Sequence, residues 1–185
     1  MVLESRSRGV EESRSRGVGE SGSRGVGGSR DHGVGALLKR RIRAAAIVVR
    51  DGRLLLVRHA GAGDAWWSPP GGGVEGGETL LAAAEREVWE ETNLRVRAGK
   101  IAYVQELLDV RRNRRTIECF VVCDDLGGVL LGEREGQAYT QQARFVSRAE
   151  LAAERVLPDV FAATFWDDLA AGLPDARYLG MPVVE

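Results

Sequence analysis

Residues 72–94 read GGVEGGETLLAAAEREVWEETNL, a glycine-rich stretch that leads into an acidic segment with helical character. Glu87, Glu90 and Glu91 are spaced i, i+3 and i+4, so a helix places all three on one face. Carboxylates at this spacing repel one another, and a hard divalent cation removes the repulsion. Because Mg²⁺ prefers oxygen ligands and leaves positions for water and substrate phosphates, the spacing predicts a magnesium site.

The same segment resembles the Nudix box. That pattern is Gly, five residues, Glu, seven residues, Arg-Glu, an apolar residue, any residue, Glu-Glu, any residue, Gly and an apolar residue. The matching positions are Gly72, Glu78, Arg86, Glu87, Val88, Glu90, Glu91 and Leu94. Asn93 replaces the second glycine, and asparagine is the next most tolerant residue of the left-handed conformation that ends a helix. The resemblance implies the Nudix fold, an α/β/α sandwich with a mixed β-sheet in the α+β class.

The resemblance also implies an activity and a set of metal ligands. The implied reaction is Mg²⁺-dependent hydrolysis of the pyrophosphate linkage in a nucleoside diphosphate derivative, with Mn²⁺ as a substitute metal. Glu87, Glu90 and Glu91 are the implied ligands, and a backbone carbonyl at Gly72 can complete the metal shell. Glu90 is a candidate base for the attacking water, although some family members place the base in a later loop.

Two further box residues are candidate supports for the catalytic carboxylates. Arg86 can reach Glu90 one helical turn along, or Glu78 near the helix start, and so orient a carboxylate. The alternative interpretation of Glu78 is a charge that stabilises the helix N-terminus. The alternative for the glycines is turn geometry alone.

Substrate contacts outside the box are predicted only from residue type and position. The candidates are Arg58, Tyr103 and the adjacent Trp66 and Trp67, since an aromatic face can stack on any nucleobase. Core packing is the alternative for each of them. Glu133 and Glu135 lie in a charged loop where many relatives carry one more acidic ligand or base. Glu135 is also a candidate for substrate binding, and solvated loop charges are the alternative for both.

Composition predicts one globular domain after a low-complexity segment. Residues 5–36 repeat an eight-residue unit, SRSRGVEE, SRSRGVGE, SGSRGVGG and SRDHGVGA. The unit is too short for a solenoid repeat and too poor in large apolar side chains to offset chain entropy. We therefore predict that residues 1–36 are a disordered tail and residues 37–185 a Nudix hydrolase domain.

Charge and hydropathy exclude several classes of partner. The net charge of −1 gives no electrostatic footprint for nucleic acid, and no run of 18 apolar residues could span a membrane. Because the N-terminus lacks the apolar core of a signal peptide, we expect a cytoplasmic protein. Cys119 and Cys123 fall in one predicted strand, too far apart for a disulfide, and are expected to be buried thiols.

Apolar patterning predicts the remaining elements. Asp51-Gly52 marks a tight hairpin turn, and Ser147 is a candidate helix cap. We predict strands over 44–50, 53–59, 94–96, 101–110, 116–124 and 143–146, and helices over 79–92, 147–154 and 157–171.

Several functions remain open at this point. The substrate is a small nucleotide: ADP-ribose or a nucleotide sugar, a nucleoside triphosphate, or a dinucleoside polyphosphate. A Nudix-fold nucleotide sensor without turnover is the main alternative, but such proteins usually have eroded box carboxylates. Isoprenoid diphosphate isomerisation would need a cysteine in the cleft, and messenger-RNA decapping would need a basic groove, for which only residues 39–43 and 111–115 qualify. A homodimer is possible, since C₂ symmetry is common in such enzymes.

Overall fold

A computed structural model describes residues 37–60, 64–130 and 140–184. The eight-residue repeat of residues 1–36 and the loop acids Glu133 and Glu135 lie outside these ranges, so the predictions made for them stay predictions. Within the described ranges the elements are β1 (Lys39–Arg50), β2 (Arg53–Ala60), β3 (Ala65–Ser68), β4 (Gly71–Gly73), α1 (Leu80–Thr92), β5 (Arg95–Asp109), β6 (Arg114–Gly127), β7 (Thr140–Val146), α2 (Arg148–Leu151), a 3₁₀ turn (Asp159–Phe161), α3 (Phe165–Ala170), β8 (Arg177–Tyr178) and β9 (Val183–Val184).

The strands form a mixed sheet, as the resemblance to the Nudix fold implied. The strand order is β3-β2-β1-β6-β5-β8, with β4 paired to β1, β7 to β2 and β9 to β5. The central pair β1 and β6 is parallel, whereas β1 with β2 and β5 with β6 are antiparallel. Asp51 and Gly52 both have positive φ, which is the geometry of a tight hairpin turn and confirms the predicted β1–β2 connection.

Alternate residues of the central strands face two separate cores. Ala44, Ala46 and Val48 of β1 pack with the buried apolar side chains of α1. Those side chains are Ala83, Ala84 and Val88. Ala45 and Ile47 face the other way, and the residues packed with them include Tyr103, Phe120, Phe161 and Phe165. Both faces of β1 are covered, which explains why its apolar run AAAIVV is continuous and does not alternate with polar residues. This arrangement confirms the predicted α/β/α sandwich.

The box helix α1 begins and ends with side-chain caps. The Thr79 hydroxyl accepts a hydrogen bond from the Ala82 N–H at 3.1 Å. At the other end Asn93 adopts φ 62°, and its N–H donates to the Trp89 carbonyl at 2.9 Å. The Asn93 side chain also donates to the Val129 carbonyl at 3.1 Å. Asparagine therefore provides the left-handed helix end in place of the usual glycine.

This helix end leads to a prediction for stability. Asn93→Ala is expected to lower the free energy of unfolding by about 1–2 kcal/mol, because alanine keeps the Cβ strain of the left-handed region and loses the side-chain hydrogen bonding that lets asparagine tolerate it. Urea denaturation followed by circular dichroism measures the change. Asn93→Gly is the matched control and should be close to the parent protein, since glycine adopts this conformation without strain. Equal stability of the alanine and glycine variants would contradict this account of the cap.

Four predicted elements, two strands and two helices, were wrong in their extent. The strands predicted at 94–96 and 101–110 are one strand, β5, because register shifts between Ala98 and Ile101 absorb the polar interruption. The helix predicted over 157–171 is instead a 3₁₀ turn followed by the short α3. Phe161 and Phe165 are fully buried, as they would also be in one continuous helix. Their spacing alone therefore could not distinguish that helix from a 3₁₀ turn followed by α3. The helix predicted over 147–154 ends at Leu151.

Both cysteines are buried and free, as predicted. Burial raises the pKa of the Cys123 thiol to about 12, with smaller contributions from Glu85 and Asp124. Cys119 also has a raised pKa because of burial. A thiol in this state is a poor nucleophile at neutral pH, which weighs against the cysteine-dependent isomerase alternative.

Candidate active site

The acidic face of α1 lies against the glycine strand β4. A Cβ built on Gly72 would lie 2.0 Å from Glu87 Oε1, so the Glu87 carboxylate occupies the space that any other residue at position 72 would fill. Glu91 Oε2 accepts a hydrogen bond from the Gly71 N–H at 2.9 Å. The two outer box acids are therefore held directly against the backbone of β4, and glycine is what permits the approach.

Arg86 connects the acidic residues of the box. Its guanidinium forms a two-point pair with Glu78, with Nε to Oε2 at 3.1 Å and Nη2 to Oε1 at 2.7 Å. Nη1 donates to Glu87 Oε1 at 2.9 Å and to Glu90 Oε2 at 3.2 Å. Nη2 also donates to the Gly73 carbonyl at 3.0 Å. Arg86 thus contacts both of the partners that the sequence left open, and it crosses from α1 to β4.

Glu78 fixes the loop that enters the helix. The hydrogen bonds from Arg86 hold the pKa of the Glu78 carboxyl below its usual range, and the Glu75 N–H, at 2.7 Å from Glu78 Oε1, lowers it further. The pKa of Arg86 is correspondingly raised, mainly by its hydrogen bonds to Glu78. Glu78 is therefore a carboxylate at neutral pH, and its role is to position Arg86 and the loop.

The donor set fits a hard divalent cation. Oxygens of Glu87 and Glu90 both approach one positively charged atom, Arg86 Nη1, and the Glu90 side chain is 46% exposed. In the described part of the chain, no three acidic, histidine or cysteine side chains already converge on one point. Glu87 and Glu91 are turned toward Arg86 and Gly71 instead, so these side chains would have to turn away from those partners to form an all-oxygen site.

Comparison with known proteins then decides the family. The family model described as NUDIX domain matches residues 39–165. The chain belongs to the Nudix family. Its curated relatives include a MutT-like protein of Streptomyces ambofaciens, 42% identical over 91 residues, which are 48% of this chain and 54% of that protein. They also include Phosphatase NudJ of Escherichia coli K12, 40% identical over 58 residues, which are 31% of this chain and 38% of that protein.

A solved structure shows the same fold. The crystal structure of a NUDIX hydrolase from Nitrosomonas europaea superposes with a TM-score of 0.63 at 18% identity, over 79% of this chain and 80% of that one. The chain spans about half of the Streptomyces relative and less than half of NudJ. None of the helices in the described ranges has the length and apolar character needed to cross a membrane.

A buried polar network beside the Nudix box was missed by the sequence reasoning. Arg43 on β1 is paired with Glu118 on β6, and Arg43 Nη2 donates to the Gly71 carbonyl at 2.7 Å. Gln105 Nε2 on β5 donates to Glu118 Oε2 at 3.1 Å. Gln105 and Glu118 are both buried. The only sequence signal was a charged residue within an otherwise apolar strand, and its partners lie far away in the chain.

His59 lies near the same network. Its Nε2 is 2.8 Å from Ser68 Oγ, and its ring stacks on Trp66 with the centroids 5.3 Å apart. Burial lowers the pKa of His59 to about 4, and the nearby Arg43 charge adds to the effect. His59 is therefore neutral at physiological pH. It can exchange hydrogen bonds but adds no charge to this part of the Nudix domain.

The residues suggested as substrate contacts lie mostly in packed positions. Trp67 is only 3% exposed, its Nε1–H donates to Glu154 at 3.1 Å, and Arg144 lies over its ring. The buried Tyr103 donates its hydroxyl to Asp168 Oδ2 at 2.7 Å. These environments favour packing for both residues. Arg58 is half-buried on β2 in register with Trp67, and its role stays a prediction.

Proposed function

We propose that this protein is a Mg²⁺-dependent Nudix pyrophosphohydrolase that cleaves a nucleoside diphosphate derivative. The observation that carries the proposal is the complete box at its place in the fold. Glu87 and Glu91 lie against the glycine strand, and Arg86 joins Glu78, Glu87 and Glu90. The name of the NudJ relative, a phosphatase, agrees with chemistry on phosphate.

The residues that would hold the ion are Glu87, Glu90 and Glu91, together with a carbonyl of the glycine strand at Gly72. When bound, the ion supplies positive charge to the pyrophosphate and lowers the pKa of the attacking water. In the net reaction the water oxygen bonds to one phosphorus and the anhydride P–O bond breaks. The result is two phosphate products, and of the two protons of the water one passes to a base while the other stays on a product phosphate or is released to solvent.

The protein's own side chains then have separate tasks. Glu90 is the most accessible of the acids that Arg86 contacts, with 46% of its side chain exposed, so we assign it as the base that accepts the water proton. Arg86 holds Glu87 and Glu90 at fixed separation, and Glu78 in turn fixes Arg86. Because nucleotide sensors of this fold usually have eroded box carboxylates, the retention of Glu87, Glu90 and Glu91 favours turnover over that alternative.

A substrate screen tests the proposal. Purified protein is incubated with Mg²⁺ or Mn²⁺ and with ADP-ribose, nucleotide sugars, nucleoside triphosphates and dinucleoside polyphosphates, and phosphate products are measured. We expect turnover of at least one of them that disappears with a chelator. Absence of turnover across the whole set, together with tight nucleotide binding, would instead support the sensor alternative.

We also propose that the catalytic domain is contained in residues 37–185. Deletion of residues 1–36 is expected to leave kcat and KM close to those of the full chain, because the contacts that Arg86 and Gly71 make with the box acids are formed within residues 71–91. Steady-state kinetics on the two proteins provide the check. A large rise in KM after the deletion would show that the repeat contributes to substrate binding.

A further inference from the structure

One face of the sheet carries a polar area next to the box, on the side opposite α1. Along β1, β6 and β5 the core residues give way to polar side chains toward one end of the strands. Arg41 is in register with Thr116, Arg43 with Glu118, and Glu118 with Gln105. The residues of this polar area, kept under that name below, are Arg41, Arg43, Gln105, Asp109, Arg114, Thr116 and Glu118.

Positive charge in the polar area exceeds what its acids neutralise. Arg43 is satisfied by Glu118, but Arg41 makes no hydrogen bond or ion pair with any described residue. Arg114 Nε is buried without a hydrogen-bond partner. The nearest acid to the Arg114 guanidinium is Asp109 at 3.7 Å, and Asp109 already accepts from the side chain of Arg112 at 3.1 Å.

The positive charges of Arg41, Arg43 and Arg114 repel one another, and a bound anion would reduce the free-energy cost of that repulsion. Arg41 is exposed, yet its pKa is lowered by partial burial and by the neighbouring charges of Arg43 and Arg114, and the charges of Glu87 and Glu118 offset only part of this effect. A buried donor without an acceptor costs free energy, more so when it is charged. A phosphate group would satisfy such donors, because a planar guanidinium matches two phosphate oxygens.

The polar area is adjacent to the candidate metal ligands. A Cβ built on Gly72 would meet Glu87, and one built on the next residue, Gly73, would meet Nε and Nη2 of Arg41 at 3.2 Å. Successive Cα atoms are about 3.8 Å apart, so the glycine strand is all that separates the acids from the guanidinium. The Glu87 charge acts on the Arg41 guanidinium, so the two groups lie close together on opposite sides of β4, and a phosphate chain that passes the edge of β4 would contact both.

We propose that Arg41 and Arg114 bind a substrate phosphate that lies outside the cleaved pair, so that the enzyme prefers nucleotides with three or more phosphates. Nucleoside triphosphates and dinucleoside polyphosphates have such a phosphate, whereas ADP-ribose and nucleotide sugars place an uncharged sugar there. When a sugar occupies that position, the guanidinium groups of Arg41 and Arg114 have no phosphate to bind. This inference rests on the proposed function, since it specifies the substrate class of the same site.

The kinetic test compares two substrates in the full-length protein. We expect kcat/KM to be higher for a nucleoside triphosphate than for the matching nucleotide sugar. Arg41→Met keeps the length of the side chain and removes the charge, and should reduce this preference roughly 10- to 100-fold, the range for hydrogen bonds to a charged group. Arg40→Met is the matched control, because Arg40 is exposed and points to the opposite face of β1. It should keep the preference.

A binding test separates this inference from the proposed function. Inorganic tripolyphosphate is titrated calorimetrically into the same proteins without a divalent cation. We expect binding to the parent and to Arg40→Met, and at least roughly 10-fold weaker binding to Arg41→Met. No binding to the parent, equal binding by all three, or a native preference for nucleotide sugars would overturn the inference. Failure to hydrolyse any substrate would instead remove the proposed function, while the titration would still decide the phosphate site.

Discussion

Glu91→Gln is expected to lower kcat roughly 1,000-fold or more while the fold is retained. The amide oxygen of the replacement can still accept the hydrogen bond that the Gly71 N–H donates at 2.9 Å, so the glycine strand keeps its anchor. What the change removes is a negative charge and a hard oxygen ligand from the helix face. Steady-state kinetics at saturating Mg²⁺ measure the loss, and circular dichroism confirms the fold.

Glu75→Gln is the matched control for that experiment. Glu75 lies in the same segment, is exposed, and contributes its backbone N–H rather than its carboxylate to the network. The change removes an equal charge at a position away from the carboxylate face, so kcat should stay near that of the parent. Similar rates for Glu91→Gln and Glu75→Gln would show that Glu91 has no place in the chemistry.

Gly72→Ala is expected to reduce kcat/KM roughly 100- to 1,000-fold, the cost of losing one well-placed electrostatic group. The added Cβ would lie 2.0 Å from Glu87 Oε1 and must displace that carboxylate. Because the clashing atoms are the end of a flexible side chain, the fold can adjust by moving Glu87. We therefore expect a folded protein with weaker Mn²⁺ binding, which electron paramagnetic resonance of the free ion measures.

Gly76→Ala serves as the control for the glycine substitution. A Cβ on Gly76 would meet no atom within 4 Å, although the residue belongs to the same loop. Activity and Mn²⁺ affinity should both stay close to those of the parent. If Gly72→Ala were as active as Gly76→Ala, the contact between Glu87 and the glycine strand would have no catalytic importance.

The sequence predicted the features that depend on neighbours along the chain. The box helix could be predicted because the spacing of its acidic residues and its Asn93 end both lie within one short segment. The β1–β2 hairpin was predicted from Asp51-Gly52 in the same way. Both depend on backbone geometry that a few consecutive residues determine.

The polar area could not be predicted, because its residues meet only through the sheet. Arg43 and Glu118 are 75 positions apart, and they pair because β1 and β6 are parallel neighbours in one register. Each residue alone resembles a charge at a strand end. Sequence order gives no register for such a distant pair, so the partner of each charge stayed unknown.

The tryptophan pair shows a related limit. Successive residues of a strand face opposite sides, so only one of Trp66 and Trp67 can enter the core. The sequence did not determine which one, since that depends on how β3 pairs with β2. The structure buries Trp67 and leaves Trp66 half-buried against His59.

Anomalous diffraction from crystals soaked in Mn²⁺ tests the central claim most directly. We expect a strong peak among the carboxylates of Glu87, Glu90 and Glu91, with Arg86 Nη1 withdrawn from the Glu87 and Glu90 oxygens that it contacts here. A peak elsewhere in the molecule, with these three carboxylates still held by Arg86 and Gly71, would contradict the assignment of the metal site.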